Sequence, residues 1–299
     1  MYPEMPYYGE KTKNKKETLT FPPQSQPTLP GQEQEMDPRP IVDNPEYQGS
    51  QKLKGKTAII TGGDSGIGKA AAIAFGKEGA NVMIAYLNEH QDAEETQKII
   101  RSLGGECLLV PVDLSKTSAA QKVVQQTLNA YSQIDILVNN CATQYPQKSI
   151  MDITEQQLEL TFKTNIFSYF FMIQAVLPHM KSGASIINTT SITAYKGNKE
   201  LIDYSATKGA VTTLTRSLSL SLADTGIRVN GVAPGPIWTP LIPGSFTEDN
   251  VSTFGNNTPM KRAGQPFELA PAYVYLASDD SAFMNGQVLH INGGDIVNG

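Results

Sequence analysis

The sequence predicts an α/β protein with a parallel β-sheet that is covered by helices on both faces. From residue 54 onward, short β-branched apolar runs bounded by turn residues alternate with amphipathic stretches. Repeated strand–helix alternation is typical of a parallel sheet. The runs are apolar without strict alternation of polar and apolar residues, as strands buried on both faces should be. A length of 299 residues allows one catalytic domain with an appendage.

Seven strands alternate with six helices along the chain. The strands are predicted at 56–61, 81–86, 107–112, 134–140, 184–190, 227–234 and 286–293. The helices are predicted at 67–78, 90–103, 117–132, 154–181, 204–224 and 266–278. Together these elements predict a single domain over residues 51–299.

The first 50 residues, which we call the arm, differ in composition from the rest. They hold nine of the 19 prolines and are predicted to be an extended polyproline-II or irregular chain. One interpretation is a disordered tail. The other is a strap over the domain or a neighbouring subunit, because apolar side chains recur as candidate anchors: Phe21, Leu29, Met36, Ile41 and Tyr47.

Composition excludes several classes of function. A net charge of −5 and a pI of about 5.3 disfavour a nucleic-acid or anionic-membrane partner and favour a small-molecule substrate. Two cysteines and three widely separated histidines predict neither a disulfide framework nor a metal site. We expect a soluble, cytoplasmic protein, because no run reaches 18 apolar residues and the stretch "MYPEMPYYGEKTKNKK" lacks the apolar region of a signal peptide.

The first strand runs into a glycine-rich loop, "TGGDSGIG" at residues 61–68. Its glycines let the backbone approach a pyrophosphate closely, and the helix that follows presents unpaired N–H groups and a partial positive charge. By itself this spacing is also that of an ordinary tight turn. Its position after the first strand of a doubly wound pattern favours dinucleotide binding.

A second motif, "YSATK", places Tyr204 and Lys208 four residues apart. On a helix these positions lie on one face about 5 to 6 Å apart at Cβ. A phenol has a reference pKa near 10, so a neighbouring ammonium favours its ionised form. The pair is therefore either an idle surface pair or a tuned acid in an enzyme.

With "LVNNCA", "NTTSI" and "VAPGPIWTP", these motifs follow the order and spacing of the short-chain dehydrogenase/reductase family. The resemblance covers roughly residues 54–294 and is closest to the bacterial glucose dehydrogenases and general-stress-protein-like oxidoreductases. It implies a Rossmann-type doubly wound sheet of seven parallel strands in the order 3-2-1-4-5-6-7. It also implies a homotetramer.

The same resemblance assigns a catalytic tetrad of Asn165, Ser191, Tyr204 and Lys208. Tyr204 would be the general acid or base, with its pKa tuned by Lys208, which also binds the cofactor. Ser191 would hold the substrate oxygen. Asn165 would hold a water that links Lys208 to solvent.

The resemblance also implies a set of cofactor contacts, in which Asp113 bonds the adenine, and Ile237 and Thr239 bond the carboxamide. The alternative for Asp113 is a helix N-cap. Residues 241–263 are rich in Gly, Asn and Thr, as a mobile loop should be, and are expected to form a substrate lid. The complete set is Gly62, Asp64, Ser65, Gly66, Ile67, Gly68, Tyr86, Asp113, Leu114, Asn140, Tyr204, Lys208, Pro234, Gly235, Ile237 and Thr239.

The sequence favours NAD over NADP as the cofactor. Tyr86-Leu87-Asn88, at the end of the second strand, offers neither the acid that binds a ribose 2′-hydroxyl nor a base for a 2′-phosphate. Asp64 would lie near a 2′-phosphate with no cation placed to offset it.

Together these features predict an NAD(P)-dependent oxidoreductase acting on a small alcohol, sugar, polyol, aldehyde or ketone. One alternative is a 3-oxoacyl-carrier-protein reductase. The other is a catalytically idle dinucleotide-binding scaffold whose arm is its interaction element.

Overall fold

A seven-stranded parallel sheet lies at the centre of the fold. The computed structural model describes residues 10–12, 16–18 and 20–297. The other residues of the predicted arm, and the last two residues of the predicted domain, lie outside the described residues. An antiparallel pair, β1 (Glu10–Thr12) and β2 (Lys16–Thr18), precedes the sheet. The sheet strands are β3 (Thr57–Thr61), β4 (Asn81–Tyr86), β5 (Glu106–Pro111), β6 (Ile136–Asn139), β7 (Ser185–Thr189), β8 (Arg228–Pro234) and β9 (Val288–Ile291).

All neighbouring strands of the sheet are parallel, and their order is β5-β4-β3-β6-β7-β8-β9. Numbered among themselves, the seven strands follow the order 3-2-1-4-5-6-7. The predicted fold class is therefore confirmed. Because all strands point the same way, their carboxyl ends meet at one edge, where ligands bind in open α/β sheets.

The helices of the described chain occupy the predicted stretches, with breaks that periodicity did not reveal. The predicted helix 154–181 contains a π-helical turn at Lys163–Phe167 and ends in a 3₁₀ turn at Leu177–His179. Two short helices were not predicted, because one turn is too short to show a period. The α-helices are α1 (Gly66–Lys77), α2 (His90–Ser102), α3 (Thr117–Tyr131), α4 (Glu155–Phe162), α5 (Ser168–Val176), α6 (Thr193–Lys196), α7 (Ile202–Ser221), α8 (Glu248–Ser252) and α9 (Ala270–Ala277).

Apolar cores lie on both faces of the sheet because successive strand residues point to opposite faces. Ile60 belongs to the core beneath α1 and α9, whereas its neighbour Ile59 belongs to the core beneath α3 and α5. None of the helices in the described part of the chain combines the length and apolar character that a bilayer crossing requires.

Residues 20–50 of the arm lie against the domain. The Phe21 ring stacks on the buried Trp238 ring at 3.9 Å between centroids, with an interplanar angle of 10°. Further along, Tyr47 hydrogen-bonds to Glu78, at the end of α1. The irregular chain expected for the arm is interrupted by the β1–β2 pair and by a 3₁₀ turn at Glu33–Glu35. The contacts of residues 20–50 are those of a strap.

Glu78 binds the last residues of the arm to the domain through hydrogen bonds. Replacing Glu78 tests how much these hydrogen bonds stabilise the fold. The carboxylate is 1% exposed and also accepts hydrogen bonds from the backbone N–H groups of Ser50 and Lys52, both at 2.9 Å. Glu78→Ala strands these donors and should lower the free energy of unfolding by about 1–3 kcal/mol in urea titrations. The exposed Glu106→Ala is the control and should change it by less than about 0.5 kcal/mol. Equal effects of the two variants would contradict a stabilising role of the Glu78 hydrogen bonds.

Candidate active site

A cavity of about 590 Å³ opens at the carboxyl edge of the sheet. Of the predicted site residues, all except Gly68 and Asn165 line it. The sheet brings them together because the loops after β3, β4, β5, β6, β7 and β8 all emerge at this edge.

The glycine-rich loop forms the floor of one end of the cavity. Gly62 and Gly66 adopt φ values of +64° and +52°, which L side chains disfavour. Gly68 lies beneath the loop, where a Cβ atom would be only 1.9 Å from the Gly62 carbonyl oxygen. The backbone is therefore close enough for the first turn of α1 to present its N–H groups to a pyrophosphate, so these residues fit a dinucleotide.

Ser191, Tyr204 and Lys208 meet on the opposite wall. Ser191 follows the end of β7, whereas Tyr204 and Lys208 lie one turn apart on α7, with side chains that are almost fully buried. Lys208 Nζ donates a hydrogen bond to the Thr189 carbonyl at 2.8 Å and lies 5.6 Å from the centroid of the Tyr204 ring. Ser191 and Tyr204 both line the cavity, and the Ser191 hydroxyl lowers the pKa of Tyr204.

Burial is the main cause of the pKa shifts of Tyr204 and Lys208 on this wall. It raises the pKa of Tyr204 to about 12, against the opposing effect of the Ser191 hydroxyl. Burial also lowers the pKa of Lys208 to about 8. The net shift of the Tyr204 pKa is upward, because desolvation outweighs the Ser191 hydroxyl. The tuning of Tyr204 by Lys208 stays a prediction.

Asn165 lies on the π-helical turn and does not reach the cavity. Its side chain accepts a hydrogen bond from the Thr143 N–H at 2.7 Å and donates to the Thr143 carbonyl at 2.8 Å. It also donates to Thr207 Oγ1 at 3.1 Å. Asn165 thus joins the loop after β6 to α7, one residue from Lys208. Single π-helical turns recur at functional sites.

Two carboxylates, Asp64 and Glu89, line the cavity beside Tyr86. They are 5% and 8% exposed. Burial raises the pKa of Asp64 to about 7, and the charge of Glu89 adds to the rise. Sequence reasoning missed Glu89 because it lies three residues beyond β4, in a turn whose direction the sequence pattern does not fix.

Asp113 follows β5 at the far end of the cavity. Its Oδ1 accepts hydrogen bonds from the backbone N–H and the hydroxyl of Ser115, at 3.1 and 2.6 Å. The N-cap of α3 is Lys116, without a side-chain hydrogen bond. The helix-cap alternative for Asp113 is therefore wrong, and its side chain stabilises the turn instead.

The remaining lining residues surround the substrate end of the cavity. The predicted lid supplies apolar residues such as Ile242 and Phe254, and its Ser245 hydroxyl accepts a 2.8 Å hydrogen bond from Gln144 Nε2. Sequence reasoning missed the polar lining residues and the arm residues Leu29, Pro30 and Gly31, because distant segments bring them here. These polar residues include Gln144, Tyr145, Thr193, Asn198 and Asn257.

The family model described as enoyl-(acyl carrier protein) reductase matches residues 62–295. The chain belongs to the short-chain dehydrogenase/reductase family. It is 54% identical over 285 residues to "Glucose and ribitol dehydrogenase" of Daucus carota, covering 93% of this chain and 98% of that protein. It is 52% identical over 282 residues to "NADPH-dependent aldehyde reductase 1, chloroplastic" of Arabidopsis thaliana, covering 92% of this chain and 98% of that protein.

A solved structure agrees with this assignment. A short-chain dehydrogenase from Burkholderia cenocepacia in complex with NADP superimposes with a TM-score of 0.77 at 27% identity, over 81% of this chain and 98% of its own. The family resemblance and the predicted enzyme class are confirmed. This short-chain dehydrogenase/reductase is therefore an oxidoreductase that takes a nicotinamide dinucleotide. Among the described residues, no group of three or more His, Cys, Asp or Glu side chains is arranged to hold a metal ion.

The tight contact at Gly68 gives a test of the dinucleotide floor. Gly68→Ala places a methyl group 1.9 Å from the Gly62 oxygen, so α1 must move and dinucleotide affinity, measured by calorimetry, should fall at least about tenfold. The control is Gly209→Ala on α7, where a Cβ meets nothing within 4 Å. That variant should keep affinity and gain about 0.5–1 kcal/mol of stability. Unchanged affinity in Gly68→Ala would refute this role of the loop.

Proposed function

We propose that this short-chain dehydrogenase/reductase transfers hydride between a nicotinamide dinucleotide and a small polyol or sugar, or the corresponding aldehyde or ketone. The observation that carries the proposal is the meeting of Ser191, Tyr204 and Lys208 on one wall of a cavity whose glycine-rich floor fits a dinucleotide. A phenol beside a hydroxyl is an arrangement that can deliver a proton to a carbonyl oxygen.

When bound, the dinucleotide supplies or accepts hydride at its nicotinamide C4. In carbonyl reduction, Ser191 holds the substrate oxygen and the Tyr204 hydroxyl donates its proton to that oxygen. A Tyr204 pKa of about 12 keeps the phenol protonated at neutral pH, which suits the acid role. In alcohol oxidation the same proton moves in reverse to Tyr204. Lys208 is then the cation that stabilises the phenolate and holds the nicotinamide ribose.

Asn165 acts in this proposal through the elements that it joins. Its hydrogen bonds to Thr143 and Thr207 hold α7 against the loop after β6. These hydrogen bonds fix the position of Lys208 in the cavity wall, because Thr207 is its neighbour on α7. We also propose that Asn165 has the role that the family resemblance implies, which is to hold a water molecule between Lys208 and solvent.

The polar rim of the cavity supports a polyhydroxylated substrate. Gln144, Asn198 and Asn257 offer amide donors and acceptors that several hydroxyl groups of one substrate can use. Two similar proteins carry names of matching chemistry, a glucose and ribitol dehydrogenase and an aldehyde reductase.

For the cofactor, we infer that NAD is preferred where Asp64 is ionised. Asp64 and Glu89 would face the adenosine ribose, and an ionised carboxylate there repels a 2′-phosphate and accepts a hydrogen bond from a 2′-hydroxyl. The NADP in the Burkholderia structure and the name of the Arabidopsis relative favour NADP instead. Both dinucleotides must therefore be compared.

We also propose a homotetramer. Large apolar side chains stand exposed in and around α4 and α5: Leu158, Leu160, Phe167 and Phe170, each 43–45% exposed. Large apolar side chains exposed along one helical stretch fit a subunit interface. Sedimentation equilibrium should give four times the chain mass, and a monomer would refute the proposal.

Tyr204→Phe tests the acid–base role. The variant should lower kcat by about 10²–10⁴-fold on polyols and aldehydes, because no group replaces the proton donor. Its Kd for the dinucleotide should stay within about threefold, since the ring remains. The control is Tyr195→Phe on α6, whose buried hydroxyl has no hydrogen-bond partner among the described residues.

The outcomes separate the candidate functions. Loss of activity in both tyrosine variants, or in neither, would contradict the assignment of Tyr204. A wild-type chain that turns over only 3-oxoacyl thioesters would favour the carrier-protein reductase. A chain that binds dinucleotide but reduces no carbonyl would favour the idle scaffold.

The pKa of Asp64 predicts how the cofactor preference varies with pH. Below about 7 the carboxyl binds a proton, and above it the charge adds to those of Glu89 and Asp92. The ratio of Kd for NADP to Kd for NAD should therefore rise between pH 6 and pH 8. In Asp64→Asn, titration calorimetry should find a lower and flatter ratio. An equal slope in both proteins would assign the pH effect to the cofactor's own phosphate.

A further inference from the structure

The arm reaches both loops that border the cofactor end of the cavity. Its residues Leu29, Pro30 and Gly31 line the cavity. Gly31 lies so close to the loop after β8, which we define as residues 235–246, that a Cβ atom would be 2.5 Å from the Pro240 oxygen. The Gln26 N–H donates a 2.7 Å hydrogen bond to the Pro243 carbonyl.

Glu33, two residues further along the arm, binds the start of α1. One carboxylate oxygen accepts the Gly66 N–H at 2.7 Å, and the other accepts Lys69 Nζ at 2.7 Å. Ser65, the N-cap residue of α1, makes no side-chain capping hydrogen bond. The arm therefore provides the carboxylate that the first N–H of α1 requires. Ser65 and Ile67, on either side of Gly66, line the cavity.

This contact is buried and fully paired. Glu33 is 3% exposed and Lys69 is 1% exposed. Burial raises the pKa of Glu33, against the opposing charge of Lys69 and the hydrogen bond from Gly66. The Glu33 N–H donates to Asp92 Oδ2 on α2 at 2.7 Å, so the same residue fixes the arm to two helices.

The arm holds the loop after β8 through the single tryptophan of the chain. Trp238 is stacked on Phe21, and its Nε1 donates to the Pro38 carbonyl at 2.8 Å. Its neighbours Ile237 and Thr239 line the cavity. The two loops also meet, because a Cβ atom on Gly66 would lie 3.0 Å from Thr239 Cβ.

We propose that the arm is a clamp that holds the glycine-rich loop and the loop after β8 in the geometry that binds dinucleotide, with Glu33 as the positioning residue. The inference rests on the proposed dinucleotide site. The arm would then contribute to the dinucleotide site although it lies outside the glycine-rich motif in sequence. Loss of Glu33 should weaken the binding of the dinucleotide and leave the chemical step intact. Outside the arm, the described hydrogen bonds of Glu33 and Gln26 go to α1, α2 and the loop after β8, and not to Ser191, Tyr204 or Lys208.

Two double variants of the full chain separate positioning from packing. Glu33→Ala with Lys69→Met removes both charges of the buried ion pair and leaves the Gly66 N–H without its acceptor. Glu95, which also lies 3.4 Å from Lys69 Nζ, keeps its ion pair with Arg39. Glu33→Gln with Lys69→Gln also removes both charges but restores an oxygen to that N–H. The control is Glu35→Gln, an exposed neighbour in the same 3₁₀ turn.

The measurements are calorimetric Kd for NAD and NADP, amide exchange in the unliganded chain, and kcat at saturating dinucleotide. The Ala/Met variant should raise both Kd values about tenfold or more and speed exchange across residues 62–69. Its kcat should stay within about twofold of wild type. The Gln/Gln variant should recover Kd to within about threefold, and Glu35→Gln should match wild type.

The outcomes are distinguishable from failure of the proposed function. A wild-type chain that binds neither dinucleotide overturns the proposed function, and the clamp with it. If wild type binds and the Ala/Met variant binds equally well, the clamp alone is overturned. Equal loss in both double variants also overturns it, because the acceptor for Gly66 would then be irrelevant. If the Ala/Met variant does not fold, the Gln/Gln variant and exchange at residues 62–69 still decide.

Discussion

The close approach of α1 to the end of β3 is the constraint on which the rest of the site depends. Gly68 touches the Gly62 carbonyl so closely that any side chain would separate them. Because of this contact, the first turn of α1 and the carboxyl edge of the sheet form one continuous surface. The parallel sheet then brings Ser191 after β7 and the loop after β8 to the same surface, and α7 adds Tyr204 and Lys208.

Burial controls the chemistry of that surface more strongly than any single charge. The pKa values of Tyr204 and Asp64 are raised and that of Lys208 is lowered. Each shift favours the neutral form, as low dielectric surroundings require. A site of this kind responds strongly to a charged ligand, because each added charge acts with little solvent screening.

The arm adds contacts from outside the sheet to the loops that surround the site. It supplies a carboxylate to α1 through Glu33 and a ring to Trp238 through Phe21. The carrot and Arabidopsis relatives align with 93% and 92% of this chain. Too few residues are left unmatched to omit the arm, so part of it is shared with these proteins. A strap between two loops has a direct physical use, since pre-ordered loops lose less entropy when a ligand binds.

The sequence by itself determined the strands, the order of the motifs and a set of candidate site residues, all but two of which line the cavity. Strand and helix ends at α1, α2 and β4 fall within one residue of prediction, because apolar periodicity and flanking glycines are local signals. Only the tertiary structure decided what depends on segments distant in sequence: Glu33 on Gly66, Gln144 on Ser245, and Glu89 beside Asp64. It also decided the direction of the Tyr204 pKa shift. Desolvation depends on everything packed around a group, whereas the spacing of Tyr204 and Lys208 reports only their mutual distance.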